Sequence, residues 1–179
     1  MEKNSTVLLA VKKAIVHYLI QKKAKEQLID STSLTGDKLL FLFAVRDALE
    51  LNFYQQTLKN IEKYHPAFDI MIFANDEMLR KLPVHHVNHH MILAKDLNFL
   101  ELPKKELEIK LSNYHYKAIV NTFSGYLPIL DFVASVIPSK VRLTRNEVSK
   151  LSCYNLSITY QGDINEFIEY SIAYLNKIK

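Results

Sequence analysis

The sequence alternates between short, continuous apolar runs and longer segments in which apolar residues recur at helical spacing. Residues 38–45 read KLLFLFAV and residues 68–74 read FDIMIFA, which is the pattern of strands buried on both faces of a parallel sheet. Residues 47–64, between them, have helical spacing. Because parallel strands need crossover connections, this alternation predicts a largely parallel sheet with helices on both faces.

The rest of the chain continues the alternation and predicts one three-layer α/β domain of the Rossmann-like class. Further strands are predicted at 84–93, 116–122, 140–143 and 154–160, and further helices at 103–111, 128–137 and 164–178. Pro103 and Pro128 stand at the starts of two of these helices, where the missing backbone N–H leaves no hydrogen bond unmade. A chain of 179 residues is long enough to bury a substantial core in one domain.

Glycine is scarce, and its scarcity excludes the phosphate-binding loops that α/β folds commonly carry. The chain has three glycines, Gly36, Gly125 and Gly162, where average usage of about 7% would give about a dozen. None stands in a G-x-G or G-K-[ST] setting, the arrangements that bring backbone amides up to phosphate. The sequence therefore predicts neither a P-loop nor a dinucleotide fingerprint.

The positive charge is confined to the first segment of the chain. Residues 1–28 hold six lysines and two glutamates, whereas residues 29–179 hold equal numbers of basic and acidic residues, so the net charge of +4 belongs to the first segment. We predict a basic amphipathic helix at 1–28, a polar linker at 29–37 and a single α/β domain at 38–179. Such local charge argues against a generally basic nucleic-acid-binding surface.

The N-terminal helix has two alternative interpretations. In the first, it docks the protein onto another protein, RNA or an anionic membrane surface. In the second, its apolar stripe packs against the sheet and its lysines are solvated. The predicted stripe consists of Val7, Leu8, Val11, Ile15, Tyr18 and Leu19, and the candidate docking residues are Lys12, Lys13, Lys22, Lys23 and Lys25.

A second candidate site lies at the predicted carboxyl ends of the strands, where open parallel sheets bind ligands. The loop after the 116–122 strand carries polar groups that suit an anion, and two arginines follow the next strand. The candidate ligand-binding residues are Asn121, Ser124, Gly125, Arg142 and Arg145. Asp47, after the first strand, is either a catalytic carboxylate or a cap for the following helix, and capping is the interpretation we favour.

No metal or cofactor is predicted. Four histidines cluster at His85, His86, His89 and His90, but no cysteine stands near them to add a ligand, and we interpret them as polar residues of an edge or surface strand. Cys153 is the only cysteine, so no internal disulfide forms, which suits a reducing cytoplasm. No apolar run approaches the length of a membrane span. We therefore expect a cytoplasmic protein, with attachment to the inner membrane surface left open.

Several segments in the second half of the chain carry a resemblance to known families. They read KDLNF at 95–99, YKAIVN at 116–121, LPIL at 127–130, KVR at 140–142, YNLSI at 154–158 and DINEFIE at 163–169. Their order resembles a small family of stand-alone bacterial domains of unknown function, which also begin with a Lys-rich helix. The unit at 116–143 is similar to the N-terminal half of the lipopolysaccharide heptosyltransferases.

The chain departs from the transferases in ways that bear on activity. It lacks the glycine-bearing loop after the first strand and the second domain that would hold the nucleotide-sugar donor, and Thr144 stands where a glycine normally follows the Arg-bearing strand. The resemblance therefore implies a reduced relative that has lost the transfer reaction. Two functions remain open: a non-catalytic binding or assembly module docking through its helix, or a glycosyltransferase-like domain binding a phosphosugar or nucleotide sugar at the strand ends.

Overall fold

A computed structural model describes residues 2–30, 38–64, 67–82, 88–145, 153–158 and 162–177. The helices in this part of the chain are α1 (Glu2–Asp30), α2 (Ala48–Tyr64), α3 (Asp76–Leu79), α4 (Lys105–Ser112), α5 (Pro128–Val136) and α6 (Ile164–Lys177). The strands are β1 (Leu39–Val45), β2 (Phe68–Ala74), β3 (His89–Ile92), β4 (Tyr116–Asn121), β5 (Ser139–Thr144) and β6 (Leu156–Ser157).

The six strands form one sheet in the order β3-β2-β1-β4-β5-β6, and every neighbouring pair is parallel. The predicted fold class, a Rossmann-like three-layer α/β domain with a preceding helix, is confirmed. The strand order reverses between β1 and β4: β1 leads outward through β2 to β3, and β4 leads outward through β5 to β6. That reversal creates the crevice described below.

Two apolar cores lie on opposite faces of the sheet. On one face, α2 and α6 pack over side chains such as Phe41, Phe43 and Ile70. On the other face, α5 covers Leu40 and Leu42, and α1 packs on α5 as an outer element. The alternation follows from the pleat, since successive residues of a strand point to opposite faces.

Several predicted boundaries differ from the structure. Within the described residues 153–158, the strand predicted at 154–160 consists only of Leu156–Ser157, and two helix boundaries also differ. Pro103 does not begin α4, which starts at Lys105. It instead forms an isolated bridge with Leu97, closing a loop in which Asn98 Oδ1 accepts the Leu100 amide at 2.8 Å. Helix α1 extends to Asp30, two residues beyond the predicted end. Most of the predicted linker, residues 31–37, lies outside the described residues.

Candidate functional site

A crevice of about 210 Å³ opens at the carboxyl edge of the sheet, between the ends of β1 and β4. After β1 the chain enters α2 on one face of the sheet, and after β4 it enters α5 on the other. Such a switch point is where open parallel sheets bind ligands. The described residues that line the crevice are Ala44, Leu49, Glu50, Phe53, Thr122, Phe123, Ser124 and Arg145.

Glu50 and Phe123 line one side of the crevice, and both contact Arg46. Glu50 accepts hydrogen bonds from the Arg46 backbone amide at 2.7 Å and from Arg46 Nε at 3.1 Å. This hydrogen bonding raises the pKa of the Arg46 guanidinium, whose Cζ atom lies 4.9 Å from the centre of the Phe123 ring. Asp47 caps α2 by accepting the Glu50 amide at 2.8 Å. Its carboxylate is thus used in the helix cap, as the favoured interpretation expected.

Arg145 supplies a second cation to the crevice, and Ser124 supplies a hydroxyl. Arg145 Nη2 donates to the Gly162 carbonyl at 2.8 Å, which fixes one side of the guanidinium, a group with five N–H donors in all. Burial lowers the pKa of Arg145, yet an arginine remains charged at neutral pH. Gly125 does not line the crevice. A Cβ atom there would lie 3.0 Å from the Phe123 ring, so glycine permits this close approach.

The other two predicted ligand residues, Asn121 and Arg142, face away from the crevice. Side chains alternate along a strand, so Asn121 and Thr122 point to opposite faces of the sheet. Thr122 lines the crevice on the α2 face, whereas Asn121 is buried against α5. Arg142 is likewise buried, with Nη2 3.4 Å from the Ile137 carbonyl, and burial lowers its pKa. The structure therefore divides the predicted site into two groups on opposite faces.

On the α5 face, Asn121 belongs to a buried polar network centred on Asp131. Tyr154 Oη donates to Asp131 Oδ1 at 2.6 Å, and Asn121 Nδ2 lies 2.6 Å from Tyr154 Oη. Burial raises the pKa of Asp131 to about 6, against the lowering effect of the hydrogen bonds that its Oδ1 atom accepts from Tyr154 Oη and, at 3.4 Å, from Asn121 Nδ2. Asn121 Oδ1 also accepts the Phe123 amide at 3.1 Å, which connects the network to the crevice loop. The Cys153 thiol is buried beside it, and burial raises its pKa.

Sequence reasoning missed the apolar lining of the crevice, which comes from Leu49 and Phe53 of α2 and from Phe123. Leu49 and Phe53 are four residues apart and so lie on one face of α2. Leu49 stands in the first turn of α2, and 81% of its surface is exposed to solvent. A leucine in the first turn of a helix, directly after a buried strand, is the sequence signal that could have identified this wall.

Helix α1 buries one side and exposes another. Val16, Ile20 and Ala24 are buried and pack on α5 in the second core. The apolar stripe predicted from the sequence is not the side that packs: Leu8 is 72% exposed and Tyr18 is 63% exposed. Of the six predicted stripe residues, Val7 lies among those whose side chains are not described, and Leu19 is partly buried against the core. The exposed stripe consists of Leu8, Val11, Ile15 and Tyr18.

The five candidate docking lysines fall into two groups. Lys12 Nζ bonds Glu101 at 2.7 Å, and Lys23 Nζ lies 3.1 Å from both Glu26 and Glu108. These two lysines tie α1 to the loop before α4 and to α4 itself. The remaining three, Lys13, Lys22 and Lys25, are exposed.

The two described histidines of the cluster, His89 and His90, contact tyrosines. His89 Nε2 lies 2.6 Å from Tyr54 Oη, and His90 Nδ1 lies 3.4 Å from Tyr114 Oη. Burial lowers the pKa of His90, although Asp69 lies 3.9 Å from its Nε2 atom. Within the described ranges, no group of three or more His, Cys, Asp or Glu side chains has the geometry to hold a metal ion. The other two histidines of the cluster, His85 and His86, lie outside those ranges.

No family model, curated protein or solved structure matches this chain. Among the helices that the structure describes, none is both long and apolar enough to cross a membrane.

Proposed function

We propose that this protein is a non-catalytic cytoplasmic binding module that docks onto a negatively charged partner through the exposed side of α1. The observation that carries this proposal is the division of the helix into two sides. Val16, Ile20 and Ala24 attach it to the domain, while an apolar stripe remains exposed on another side. A helix that only completed the core would have no need of a second apolar side.

The charge distribution supports the same role. Residues 29–179 carry no net charge, so the entire excess of +4 belongs to the segment that contains the exposed side. Lys12 and Lys23 bond to carboxylates of the domain, so their contribution is to hold α1 in place. Of the three exposed lysines, Lys22 and Lys25 lie on the stripe side and are left to meet a partner. Lys13 stands three residues before Val16, on the side that faces the domain.

Native co-purification of the full chain, at low and high salt, tests the docking role. Deleting α1 would uncover the α5 surface that Val16 and Ile20 occupy, so substitutions on the intact chain are preferable. The variant Lys22→Gln/Lys25→Gln should lose a salt-sensitive partner that the unsubstituted chain retains. Its control, Lys59→Gln/Lys177→Gln, removes the same charge from exposed positions of α2 and α6 and should retain the partner. Identical results for both variants would reject the proposal.

A second candidate function is binding of a phosphosugar in the crevice, as the heptosyltransferase resemblance implies. Arg145 offers a cation for a phosphate, and Ser124 offers a hydroxyl. Apolar walls from Phe53 and Phe123 suit the C–H face of a sugar ring. The volume of about 210 Å³ lies below the range of roughly 300–1,000 Å³ for drug-sized ligands. That size favours a phosphosugar over the larger nucleotide sugar.

A thermal-shift panel of phosphosugars and nucleotide sugars tests the second candidate, because a ligand that binds only the native state raises its stability. We expect phosphosugars to raise the melting temperature of the unsubstituted protein. Arg145→Gln should abolish that rise. Arg80→Gln, which removes an exposed arginine at the end of α3, should preserve it. No rise at millimolar concentrations of any panel member would reject a ligand of this class.

A further inference from the structure

We infer that the negatively charged partner of α1 is an anionic lipid surface, on which the helix lies with its exposed stripe inserted. This inference rests on the docking role proposed above and names the partner. The stripe residues recur at spacings of three and four, so they form one line along the helix. At 100° per residue, this line lies about 160° from the side formed by Val16, Ile20 and Ala24. The stripe therefore points away from the domain.

Lysines continue the stripe along the same line. Lys22 follows Tyr18 after four residues and Lys25 follows after three more, so both lie on the stripe side of α1. Glu26 is the only acidic residue between positions 8 and 27, and its carboxylate is 3.1 Å from Lys23 Nζ. The exposed side thus has about three apolar turns followed by a basic turn. Lysines at such positions keep their ammonium groups at lipid phosphates while their stems lie in the interface.

An exposed aromatic residue lies beside the apolar end of the helix. Phe99 is 87% exposed and stands two residues from Glu101, whose carboxylate bonds Lys12. The loop that carries it is held by Asn98, which accepts the Leu100 and Leu102 amides. The contact between Lys12 and Glu101 therefore places this loop beside the part of α1 that carries Leu8, Val11 and Ile15. This grouping is typical of an element that enters the boundary between headgroups and acyl chains.

The stripe favours lipid over RNA, and the charge favours lipid over a second copy of the chain. RNA phosphates would engage the lysines but leave Leu8, Ile15 and Tyr18 in water. A second copy would bring another +4 segment against the first. A standard protein interface also uses about 20–30 residues on each side, whereas the stripe offers four. An anionic lipid surface accounts for both the exposed stripe and the lysines, because apolar side chains enter the membrane interface while lysines meet the charged headgroups.

The test is co-sedimentation of the full chain with vesicles of phosphatidylcholine alone and with vesicles in which about one-third of the lipid is phosphatidylglycerol. We expect binding to the anionic vesicles only, and its loss at high salt. Lys22→Gln/Lys25→Gln should weaken binding by about 25-fold, at roughly fivefold per lysine. Ile15→Gln/Tyr18→Gln should weaken it by more than about tenfold. The controls on the opposite layer, Tyr174→Gln and Lys59→Gln/Lys177→Gln, should bind as the unsubstituted chain does.

Three results would overturn the lipid assignment. The first is equal sedimentation with both vesicle types, and the second is full binding by Ile15→Gln/Tyr18→Gln. The third is a dimer in light scattering that Ile15→Gln/Tyr18→Gln dissociates, which would make a second copy the occupant of the stripe. If vesicles fail while co-purification still shows a salt-sensitive partner that Lys22→Gln/Lys25→Gln loses, the docking role stands and only the lipid is rejected.

Discussion

The two faces of the sheet are built from different kinds of residue. The face toward α2 and α6 is almost entirely apolar, with Phe43 and Tyr54 in edge-to-face contact at 5.2 Å between ring centres. The face toward α5 contains two buried carboxylates. Asp69 accepts from Tyr116 Oη at 2.8 Å, and Asp131 accepts from Tyr154 Oη at 2.6 Å.

One face of the sheet is thus stabilised mainly by apolar packing, whereas the other also holds buried charged groups. Apolar burial has no titratable group, so the stability that it provides does not change with pH. A buried carboxylate stabilises or destabilises the fold according to its protonation state. Asp131, on the face toward α5, should therefore make stability depend on pH, whereas apolar contacts of the face toward α2, such as that of Phe43 with Tyr54, should stabilise the fold equally at every pH. Three substitutions examine this contrast.

Phe43→Ala should have the largest effect. Phe43 is fully buried, and its removal takes away both the transfer free energy of the ring and its contact with Tyr54. We expect a loss of about 3–5 kcal/mol in the free energy of unfolding, measured by urea titration. The loss should be the same at acidic and neutral pH. A loss that changes with pH would show that the two faces are not energetically separate.

Asp131→Asn should reveal the pH dependence of the other face. Because the folded pKa of Asp131, about 6, is above its ordinary value of 3.8, folding favours the protonated form. The stabilisation that protonated Asp131 provides is fully present below pH 3.8, its ordinary pKa, and is lost as the pH rises through the folded pKa of about 6. The asparagine does not titrate and keeps an acceptor for Tyr154. As the pH rises from acidic to neutral, the free energy of unfolding of the variant should increase by about 3 kcal/mol relative to that of the unsubstituted protein.

Paired urea titrations of Asp131→Asn and the unsubstituted protein, at several pH values, measure this gain. The comparison cancels the carboxylates that the two proteins share. A constant difference between the two proteins across the pH range would mean that Asp131 ionises in the folded state as it does in the unfolded chain.

Tyr116→Phe should have the smallest effect of the three. It removes the hydroxyl that donates to Asp69 Oδ2 and leaves Lys38 Nζ bonded to Oδ1 at 3.1 Å. We expect a loss of about 1–3 kcal/mol in the free energy of unfolding. Tyr114→Phe is the matched control, because its hydroxyl makes a longer contact of 3.4 Å with His90 and is only partly buried. Equal losses for the two variants would argue against a special role for the Asp69 hydrogen bond.

The strands of the sheet were more predictable than the site at its edge. The uninterrupted apolar run LLFLFAV identified the central strand β1, because a strand buried on both faces leaves little room for polar residues. The site was divided because Asn121 and Thr122, or Arg142 and Arg145, are close in sequence but point to opposite faces. The sequence shows that neighbouring residues of a strand point to opposite faces. Only the structure shows which of those faces lies under α5 and which lies under α2.

The local pattern of the sequence alone determined the alternation of strands and helices, the parallel class of the sheet and the confinement of charge to the first segment. Tertiary structure decided which side of α1 packs. The helix has apolar residues on two sides, and periodicity shows which residues share a side but not which side meets a partner. Packing of α1 on α5 buries Val16 and Ile20 and leaves Ile15 and Tyr18 exposed.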